Sequence, residues 1–384
     1  MFFAKRGGFT LKNQASVAQL NNILTENFKL HKNNSITIAD FMVSMWLART
    51  VNLSQMANYS TRSGKIAKDH IYRGYQYLVH NFSVSQELLA TGILKMFGLL
   101  LPSCQILLAL DRTNWKYGDK DINLLVLSVV VNGCGVPLFW IELDSRGNSD
   151  TDERKQVMDK FINTFGADKV RYILADREFI GNDWLDYLSQ KQIGFIIRIK
   201  GNMLVEYNNK ITNSSTLCAA ADITNILTYD GIIDNRQLRI QATRSSEKEL
   251  VIVVSNNLEA LNLLEIYLKR WTIECMFANL KSKGFNFEDT HFTVQARVDN
   301  LTKLLALACA IALLLGIVRS INNPITIKKH GYKQHSYFRY GLDLIIAQLL
   351  QDFKSAIKLI LSCFTDFRNW GEVIDTLQPN IALK

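Results

Sequence analysis

The stretch VRYILADREFI, residues 170–180, is an apolar run rich in β-branched and aromatic side chains that reaches Asp176. A second run of the same kind, QILLALD at residues 105–111, ends on Asp111. Both patterns are typical of buried strands, and each places a carboxylate at the carboxyl end of its strand. Binding and catalytic groups of α/β proteins collect at that edge of the sheet.

Around these two runs, strand-like and helix-like segments follow one another in a regular order. In chain order, the further segments are NLLVLSVVV (123–131), PLFWIEL (137–143), DERKQVMDKFINTFG (152–166), DWLDYLSQK (183–191) and GFIIRIK (194–200). The sequence therefore predicts three strands, a helix, a strand, a helix and a strand, which form an α/β core with one packed sheet.

The segments outside this core differ from it in composition and in hydrophobic pattern. Residues 201–250 are polar, contain short strand-like pieces and predict a β-rich insertion, after which a long helix is expected at about 259–283. The predicted organisation is a helical DNA-binding region at 1–100, a core at 101–200 and 251–300, the insertion at 201–250, and a helical C-terminal region at 301–384.

The charge balance favours a polyanionic partner. The 384 residues include 44 Lys and Arg against 35 Asp and Glu, a formal net charge of +9 with a pI near 9.1. Nucleic acid is the first candidate, and a basic protein without such a partner is the alternative. Residues 1–90 contain ten Lys and Arg and four Asp and Glu, a net charge of +6.

Within this N-terminal region, residues 52–82 interleave basic and aromatic side chains around a Ser/Thr/Gly break. The residues concerned are Arg62, Lys65, Lys68, Arg73, Tyr72, Tyr75 and Tyr77. The pattern suits a helix-turn-helix-like DNA-binding unit, and a solvated helical face is the alternative.

The cysteines and the apolar segments indicate the cellular compartment in which the protein is expected. The six cysteines form no CxxC pair and lie mostly in apolar segments, which predicts reduced thiols in a cytoplasmic, nucleoid-associated protein. Residues 1–14 lack an apolar core of signal-peptide length, so secretion is not expected. Residues 304–318 are 15 uncharged residues, fewer than the roughly 20 of a spanning helix. We expect a buried core helix there and not a membrane span.

The two strand-end aspartates have an ordinary and a chemical interpretation. Either one alone is well explained as a turn or helix-capping residue. Asp111 and Asp176 together favour a metal site, because Mg²⁺ prefers oxygen ligands and is held by one or two carboxylates together with substrate phosphates.

The predicted helix at 259–283 adds a polar stripe. Tyr267, Arg270, Glu274 and Lys281 are spaced by three, four and seven residues, so they fall within an arc of about 60° at roughly 100° per residue. Glu274 would complete a carboxylate triad for two metal ions about 3.5–4 Å apart. Arg270 and Lys281 suit phosphate binding. An ordinary i,i+4 ion pair between Arg270 and Glu274 is the alternative.

These residues resemble a known family. The spacing Tyr-x2-Arg-x3-Glu-x6-Lys is the signature of the insertion-sequence DDE transposases of insertion-sequence family four, and all four positions fit it. The segments ALDRTNWKYG and LADREFIGNDWL, which contain Asp111 and Asp176, are similar to that group's first and second acidic motifs. GFIIRIKGN is similar to the strand that enters its β insertion. The resemblance covers about residues 105–300.

The resemblance implies a fold and a set of site residues. The fold would be an RNase H-like mixed-sheet catalytic core of the α/β class with a β-rich insertion, flanked by helical N- and C-terminal regions. The implied catalytic and metal-binding residues are Asp111, Asp176 and Glu274, and the implied DNA contacts are Tyr267, Arg270 and Lys281.

The resemblance also implies cut-and-paste transposition. Such an enzyme cleaves double-stranded DNA at terminal inverted repeats and joins the 3′ ends to a target, using two Mg²⁺ ions, for which Mn²⁺ can substitute, in a synaptic homodimer. No membrane partner is expected. A repurposed metal-dependent nuclease and a catalytically inactive DNA-binding protein are the alternatives.

One feature departs from the family pattern. Some relatives pass through a DNA hairpin and stack a flipped base on a Trp in the insertion, but residues 185–270 contain no Trp. Tyr207 or Tyr229 would have to provide the platform, or the step differs.

Overall fold

The computed structural model describes residues 11–28, 35–102, 104–144, 147–329 and 331–365, which divide between two compact units. The helical unit is built from the described parts of 1–100, 116–120 and 277–365. The sheet unit is built from the described parts of 101–115 and 121–276. The core predicted from the two strand-end aspartates lies in the sheet unit.

The elements of the described residues, in chain order, are as follows. The helices are α1 (Leu11–Phe28), α2 (Ser35–Ala48), α3 (Leu53–Met56), α4 (Lys68–Asn81), α5 (Gln86–Met96), α6 (Thr151–Phe165), α7 (Asn182–Gln190), α8 (Ser214–Leu217), α9 (Leu263–Leu268), α10 (Trp271–Leu280), α11 (Gln295–Asn322), α12 (Tyr337–Gln351) and α13 (Phe353–Thr365). The strands are β1 (Ile106–Tyr117), β2 (Lys120–Val131), β3 (Cys134–Glu142), β4 (Val170–Ala175), β5 (Phe195–Arg198), β6 (Leu204–Tyr207), β7 (Lys210–Asn213), β8 (Leu227–Ile233), β9 (Arg236–Arg244) and β10 (Leu250–Ser255).

One half of the sheet has the topology of an RNase H-like core. The strand order is β3-β2-β1-β4-β5, in which β2 runs antiparallel to β3 while β1, β4 and β5 are parallel. A two-residue link at Gly118 and Asp119 joins β1 to β2, and a link of that length connects only antiparallel strands. The predicted order of three strands, α6, a strand, α7 and a strand is confirmed, as is the mixed α/β fold class.

The other half of the sheet continues from the same core. Strand β10 pairs antiparallel with β5, and the order continues as β10-β9-β8-β6-β7. Two tight hairpins shape this part, at Asn208–Asn209 and Asp234–Asn235, and all four residues have positive φ. Asn and Asp tolerate that conformation, which two-residue hairpin turns require. The strands expected within residues 201–250 are present.

Helix α11 is the core of the helical unit. It has 28 residues and is long and apolar enough to cross a membrane, and 94% of its most apolar 18-residue window is buried inside the protein. The expectation of a buried core helix at 304–318 is therefore confirmed. Helix α12 packs closely on it at Gly316 and Gly341, where an added Cβ would lie 1.8 Å from the backbone oxygens of Tyr337 and Ala312, respectively.

The expected continuous helix at 259–283 is wrong. The chain forms two helices, α9 and α10, separated by a turn at Lys269 and Arg270. In that turn the N–H of Lys269 donates to the oxygen of Ile266 at 3.0 Å, and the N–H of Arg270 donates to that of Tyr267 at 2.8 Å. These i→i−3 bonds wind the backbone more tightly than an α-helix does, so angles calculated at 100° per residue do not carry across the turn.

Candidate active site

The register of two parallel strands brings Asp111 and Asp176 side by side. Strand β1 pairs with β4 up to the partners Leu110 and Ala175, and each aspartate is the next residue in its chain. Adjacent strands lie about 4.7–4.9 Å apart. The prediction that Asp111 ends its strand is wrong, because β1 continues to Tyr117. It is the pairing with β4 that ends there, since β4 stops at Ala175 while β1 runs on beside β2.

Each aspartate also accepts a local backbone hydrogen bond. Oδ1 of Asp111 accepts from the N–H of Arg112 at 2.8 Å, and Oδ1 of Asp176 accepts from that of Arg177 at 2.7 Å. Asp176 thereby caps the short 3₁₀ turn Arg177–Phe179. The capping role named as the alternative is thus present for Asp176, whereas Asp111 makes its bond within β1. In each case the bond uses one carboxylate oxygen and leaves the other for further contacts.

The turn between α9 and α10 directs two side chains at these carboxylates. The hydroxyl of Tyr267 donates to Oδ1 of Asp176 at 3.3 Å. The Arg270 guanidinium lies 3.4 Å from Oδ2 of Asp111 and 2.7 Å from Oε1 of Glu274. Arg270 is only 12% exposed and its guanidinium lies 5.8 Å from the centre of the Tyr267 ring. Five of the six predicted site residues therefore converge in the sheet unit.

Lys281, the sixth predicted residue, follows α10 and belongs to the helical unit. Its ammonium lies 2.8 Å from Oε1 of Glu288. The predicted single stripe of four residues on one helix is therefore replaced by a three-residue group at the helix break and a separate ion pair. The tight turn changes the angle between Tyr267 and the residues that follow it, whereas Arg270 keeps its i,i+4 pairing with Glu274.

Burial and charge make this group electrostatically unusual. Burial raises the pKa of Asp111 to about 6, although the N–H of Arg112 and the charge of Arg270 act in the opposite direction. Burial by itself would lower the pKa of Arg270, but Tyr267 and the neighbouring carboxylates outweigh it and the net shift is upward. Burial also raises the pKa of Tyr267. The site holds three acidic groups around one permanent cation.

A second arginine, which the sequence reasoning did not single out, connects the segments that follow the two aspartates. Arg112 donates to both carboxylate oxygens of Glu178 at 3.0 and 2.8 Å, and also to the oxygen of Gly147 and to Oδ1 of Asn148. Such a bidentate pair is strong and geometrically specific. Arg112 comes directly after Asp111 and Glu178 comes two residues after Asp176, but nothing in either segment pairs the two residues.

The donor set suits a hard cation, but the side chains are not arranged around a common point. Among the described residues, no three His, Cys, Asp or Glu side chains are grouped so that they could hold a metal ion. Asp111 and Glu274 are turned toward the Arg270 guanidinium. Carboxylate oxygens are among the ligands that Mg²⁺ prefers. A metal would therefore fit the chemistry of these residues once Arg270 withdraws from between them.

Comparison with known proteins places this site within a matched region. Residues 102–313 match the sequence model of the family described as Transposase DDE domain. A search of individually curated proteins gives no match. A solved structure, described as a piggyBac transposase synaptic complex with hairpin DNA, is similar with a TM-score of 0.45 and 11% identity, covering 98% of this chain and 84% of that one.

Proposed function

The chain belongs to the transposase DDE domain family and is in general terms a DNA transposase, and from that premise we propose that it catalyses cut-and-paste transposition of an insertion sequence of family four. It would bind the terminal inverted repeats of its element, cleave the DNA and join the 3′ ends to a target. The observation that supports this most directly is the arrangement next to the last paired residues of β1 and β4, where Asp111 and Glu274 pair with the half-buried Arg270 and Asp176 accepts from Tyr267.

The three carboxylates would act together. Asp111, Asp176 and Glu274 would hold two Mg²⁺ ions, or Mn²⁺ in their place, which would activate the attacking oxygen and stabilise the departing one. The raised pKa of Asp111, about 6, implies that burial stores unfavourable free energy in its ionised form at neutral pH. A bound cation would relieve that cost, which is a physical reason for keeping the carboxylate buried.

Arg270 would change partners during the reaction cycle. Arg270 pairs with Asp111 and Glu274 in the structure. A phosphodiester oxygen is an equally suitable acceptor for the planar guanidinium, so the arriving DNA backbone would draw Arg270 off the carboxylates. Tyr267 would contribute its hydroxyl and Lys281 its ammonium to neighbouring phosphates. For Lys281 this requires that the ion pair with Glu288 opens.

The remaining contacts with DNA follow from charge and exposure. The turn between α3 and α4 and the start of α4 expose Lys65, Lys68 and Arg73, as the proposed N-terminal DNA-binding unit requires. In the insertion, the Tyr207 and Tyr229 rings lie edge to face at 5.1 Å and are candidates for stacking a base. We further propose a synaptic homodimer and action in the cytoplasm on the nucleoid.

The test is a cleavage and joining assay. A plasmid carrying the gene with its own flanking DNA is incubated with the full chain and Mg²⁺, beside Asp176→Ala and the control Asp152→Ala, an exposed carboxylate on α6. We expect double-strand cuts at both flanks and joined products with the wild type and the control. Neither is expected in EDTA or with Asp176→Ala.

Other outcomes identify the alternatives. Metal-dependent cuts without joined products would indicate a repurposed nuclease. Binding of the flanks without any cut would indicate a DNA-binding protein without catalytic activity. Cleavage by Asp176→Ala at the wild-type rate would remove the carboxylate assignment itself.

A further inference from the structure

Between α11 and α12, and outside the residues matched by the family, the chain forms a small β-hairpin. The N–H of Gln334 donates to the oxygen of Thr326 at 2.8 Å, and that of Lys328 donates to the oxygen of Tyr332 at 2.9 Å. Residues Ile327 and Lys333 form an antiparallel bridge between these bonds. We call residues 326–329 and 331–334 the basic hairpin; residue 330 is outside the described residues.

The turn of the basic hairpin has a defined backbone. The N–H of Gly331 donates to the oxygen of Lys328 at 2.9 Å, and Gly331 has φ +82°. Glycine adopts that left-handed conformation without the steric cost that other residues incur. The tip is therefore a closed turn that holds its neighbours Lys328 and Lys329 in place at the surface.

The base of the basic hairpin is fixed to the two helices. Ile325 is buried, and the hydroxyl of Tyr340 donates to the oxygen of Asn323 at 3.1 Å. The Arg319 guanidinium lies 4.4 Å from the centre of the Tyr340 ring. The close approach of α11 and α12 at their glycines holds both ends of the connection. The hairpin is thus presented on a rigid base, so little ordering entropy would be lost on binding.

The surface of the basic hairpin is cationic and partly apolar. Residues 320–342 contain no Asp or Glu. Lys328 and Lys329 are exposed, and Ile327 and Tyr332 are 67% and 73% exposed. Lys333 is held over the Tyr337 ring, with its ammonium 3.8 Å from the ring centre. Three lysines therefore stand together on one element with no acidic residue in this segment to neutralise them.

We infer that the basic hairpin is a DNA-contacting surface, in which Lys328 and Lys329 bind phosphates of a duplex without sequence preference. Protein interfaces are depleted in lysine, whereas phosphate contacts are made by lysine and arginine. A two-stranded ribbon also has the width that the major groove admits. This inference rests on the proposed action on DNA, but it concerns binding and does not depend on the carboxylates.

The test measures how binding of duplex DNA depends on salt. The variant Lys328→Gln/Lys329→Gln is compared with the wild type by fluorescence anisotropy, using a 40-base-pair duplex of arbitrary sequence, the full chain and EDTA. Each lost phosphate contact reduces the slope of log K against log salt by about 0.9. We therefore expect the slope to become less steep by roughly 1.8 and the affinity to fall roughly tenfold or more at low salt.

The matched control is Lys354→Gln/Lys358→Gln, which removes the same charge from exposed positions on α13 of the same unit. Its slope is expected to stay at the wild-type value. Thermal melting of both variants at the wild-type temperature would show that neither change disturbs folding.

Two results would overturn the inference. One is a salt slope of the hairpin variant equal to that of the control. The other is an unchanged slope with an altered sedimentation coefficient, which would make the hairpin a contact between copies of the chain. Because no cleavage is measured, a chain that binds through the hairpin but never cuts would refute the proposed catalysis and leave this inference standing.

Discussion

At the scale of single residues, Asp111 combines a position in the proposed active site with an environment that disfavours its charge. Its side chain is 19% exposed and its pKa is raised to about 6 by burial. In the unfolded chain an aspartate has a pKa near 4. Protonation is therefore tighter in the folded state, so the stability linked to this proton is full below pH 4 and is lost as the pH rises through 6.

Replacing Asp111 with Asn should separate stability from activity. A difference of about two between the folded and unfolded pKa values corresponds to roughly 3 kcal/mol. In EDTA at pH 8, the free energy of unfolding of Asp111→Asn should therefore exceed that of the wild type by up to this amount. At pH 4 the two proteins should be equally stable. The cleavage rate in Mg²⁺ should fall by more than about 100-fold. Loss of a residue that only contacts a metal ligand reduces activity by about 10–100-fold, and loss of the ligand itself should cost more. Equal stability of the two proteins at pH 8 would show that the carboxylate is not strained by burial.

The contacts of Arg112 illustrate what the sequence could not provide. The apolar runs predicted the strand end correctly for Asp176 but not for Asp111, which lies inside β1 at the point where the pairing with β4 stops. The pairing of Arg112 with Glu178 spans 66 residues and depends on the register of those strands. No local pattern encodes such a register.

Arg112→Lys tests whether this bidentate pair positions the carboxylates. Lysine keeps the charge but cannot contact both oxygens of Glu178 and the backbone at Gly147 together. Charge-assisted hydrogen bonds contribute roughly 1.5–3 kcal/mol each, so we expect a loss of about 2 kcal/mol in the free energy of unfolding and a cleavage rate reduced roughly 10–100-fold.

The matched control for Arg112→Lys is Arg239→Lys. Arg239 makes the same bidentate contact with Asp230 in the insertion, at 2.8 and 2.9 Å, but adjoins neither Asp111 nor Asp176 in the chain. It should lose less stability, because Asp230 is more exposed than Glu178, and should keep its cleavage rate. Equal rates for both variants would reduce Arg112 to a stabilising role.

At the scale of secondary-structure elements, the sequence predicted what is local. The short strands expected within residues 201–250 are present, and the apolar run at 304–318 is the buried part of α11. The break between α9 and α10 was not predicted, because hydrophobic periodicity does not distinguish i→i−4 from i→i−3 hydrogen bonds over a single turn. That break aims Tyr267 and Arg270 at the aspartates.

The contact between α11 and α12 depends on glycine at two positions. In Gly316→Ala the added methyl group would lie 1.8 Å from the oxygen of Tyr337, so α12 must move away. Overpacking of this kind costs roughly 1–3 kcal/mol and sometimes more, and we expect a loss of about 3 kcal/mol in chemical denaturation.

Gly74→Ala in α4 is the matched control for that substitution. Its added methyl group would meet only Nη2 of Arg62, at 3.7 Å, which is an ordinary contact. Alanine in the interior of a helix should then stabilise the protein by roughly 0.4–1 kcal/mol. Two variants of the same chemistry would thus change stability in opposite directions, and a Gly316→Ala protein as stable as the wild type would contradict the close packing.

At the scale of the whole molecule, the described helices before and after the sheet unit belong to one unit. Nε1 of Trp46 donates to the oxygen of Ala308, and Nδ2 of Asn300 donates to that of Val79, across 262 and 221 residues. The sequence indicated helical regions at both ends but not that they share a core. Contacts at such separations form where the apolar faces of two helices meet. The hydrophobic periodicity of one helix shows which of its faces is apolar, but not which other helix packs against that face.

Metal binding should be visible in the stability of the whole chain. A ligand that binds only the folded state raises the free energy of unfolding by RT ln(1 + [L]/Kd), about 1.4 kcal/mol at ten times Kd. In the wild type, Mg²⁺ would also relieve the repulsion among Asp111, Asp176 and Glu274 once Arg270 withdraws. We therefore expect the melting temperature to rise with Mg²⁺ and saturate in the wild type and in Asp152→Ala, and to remain at its EDTA value in Asp176→Ala and Glu274→Ala. An equal rise in all four proteins would mean that Mg²⁺ acts as a general electrolyte, and the three carboxylates would then not form its site.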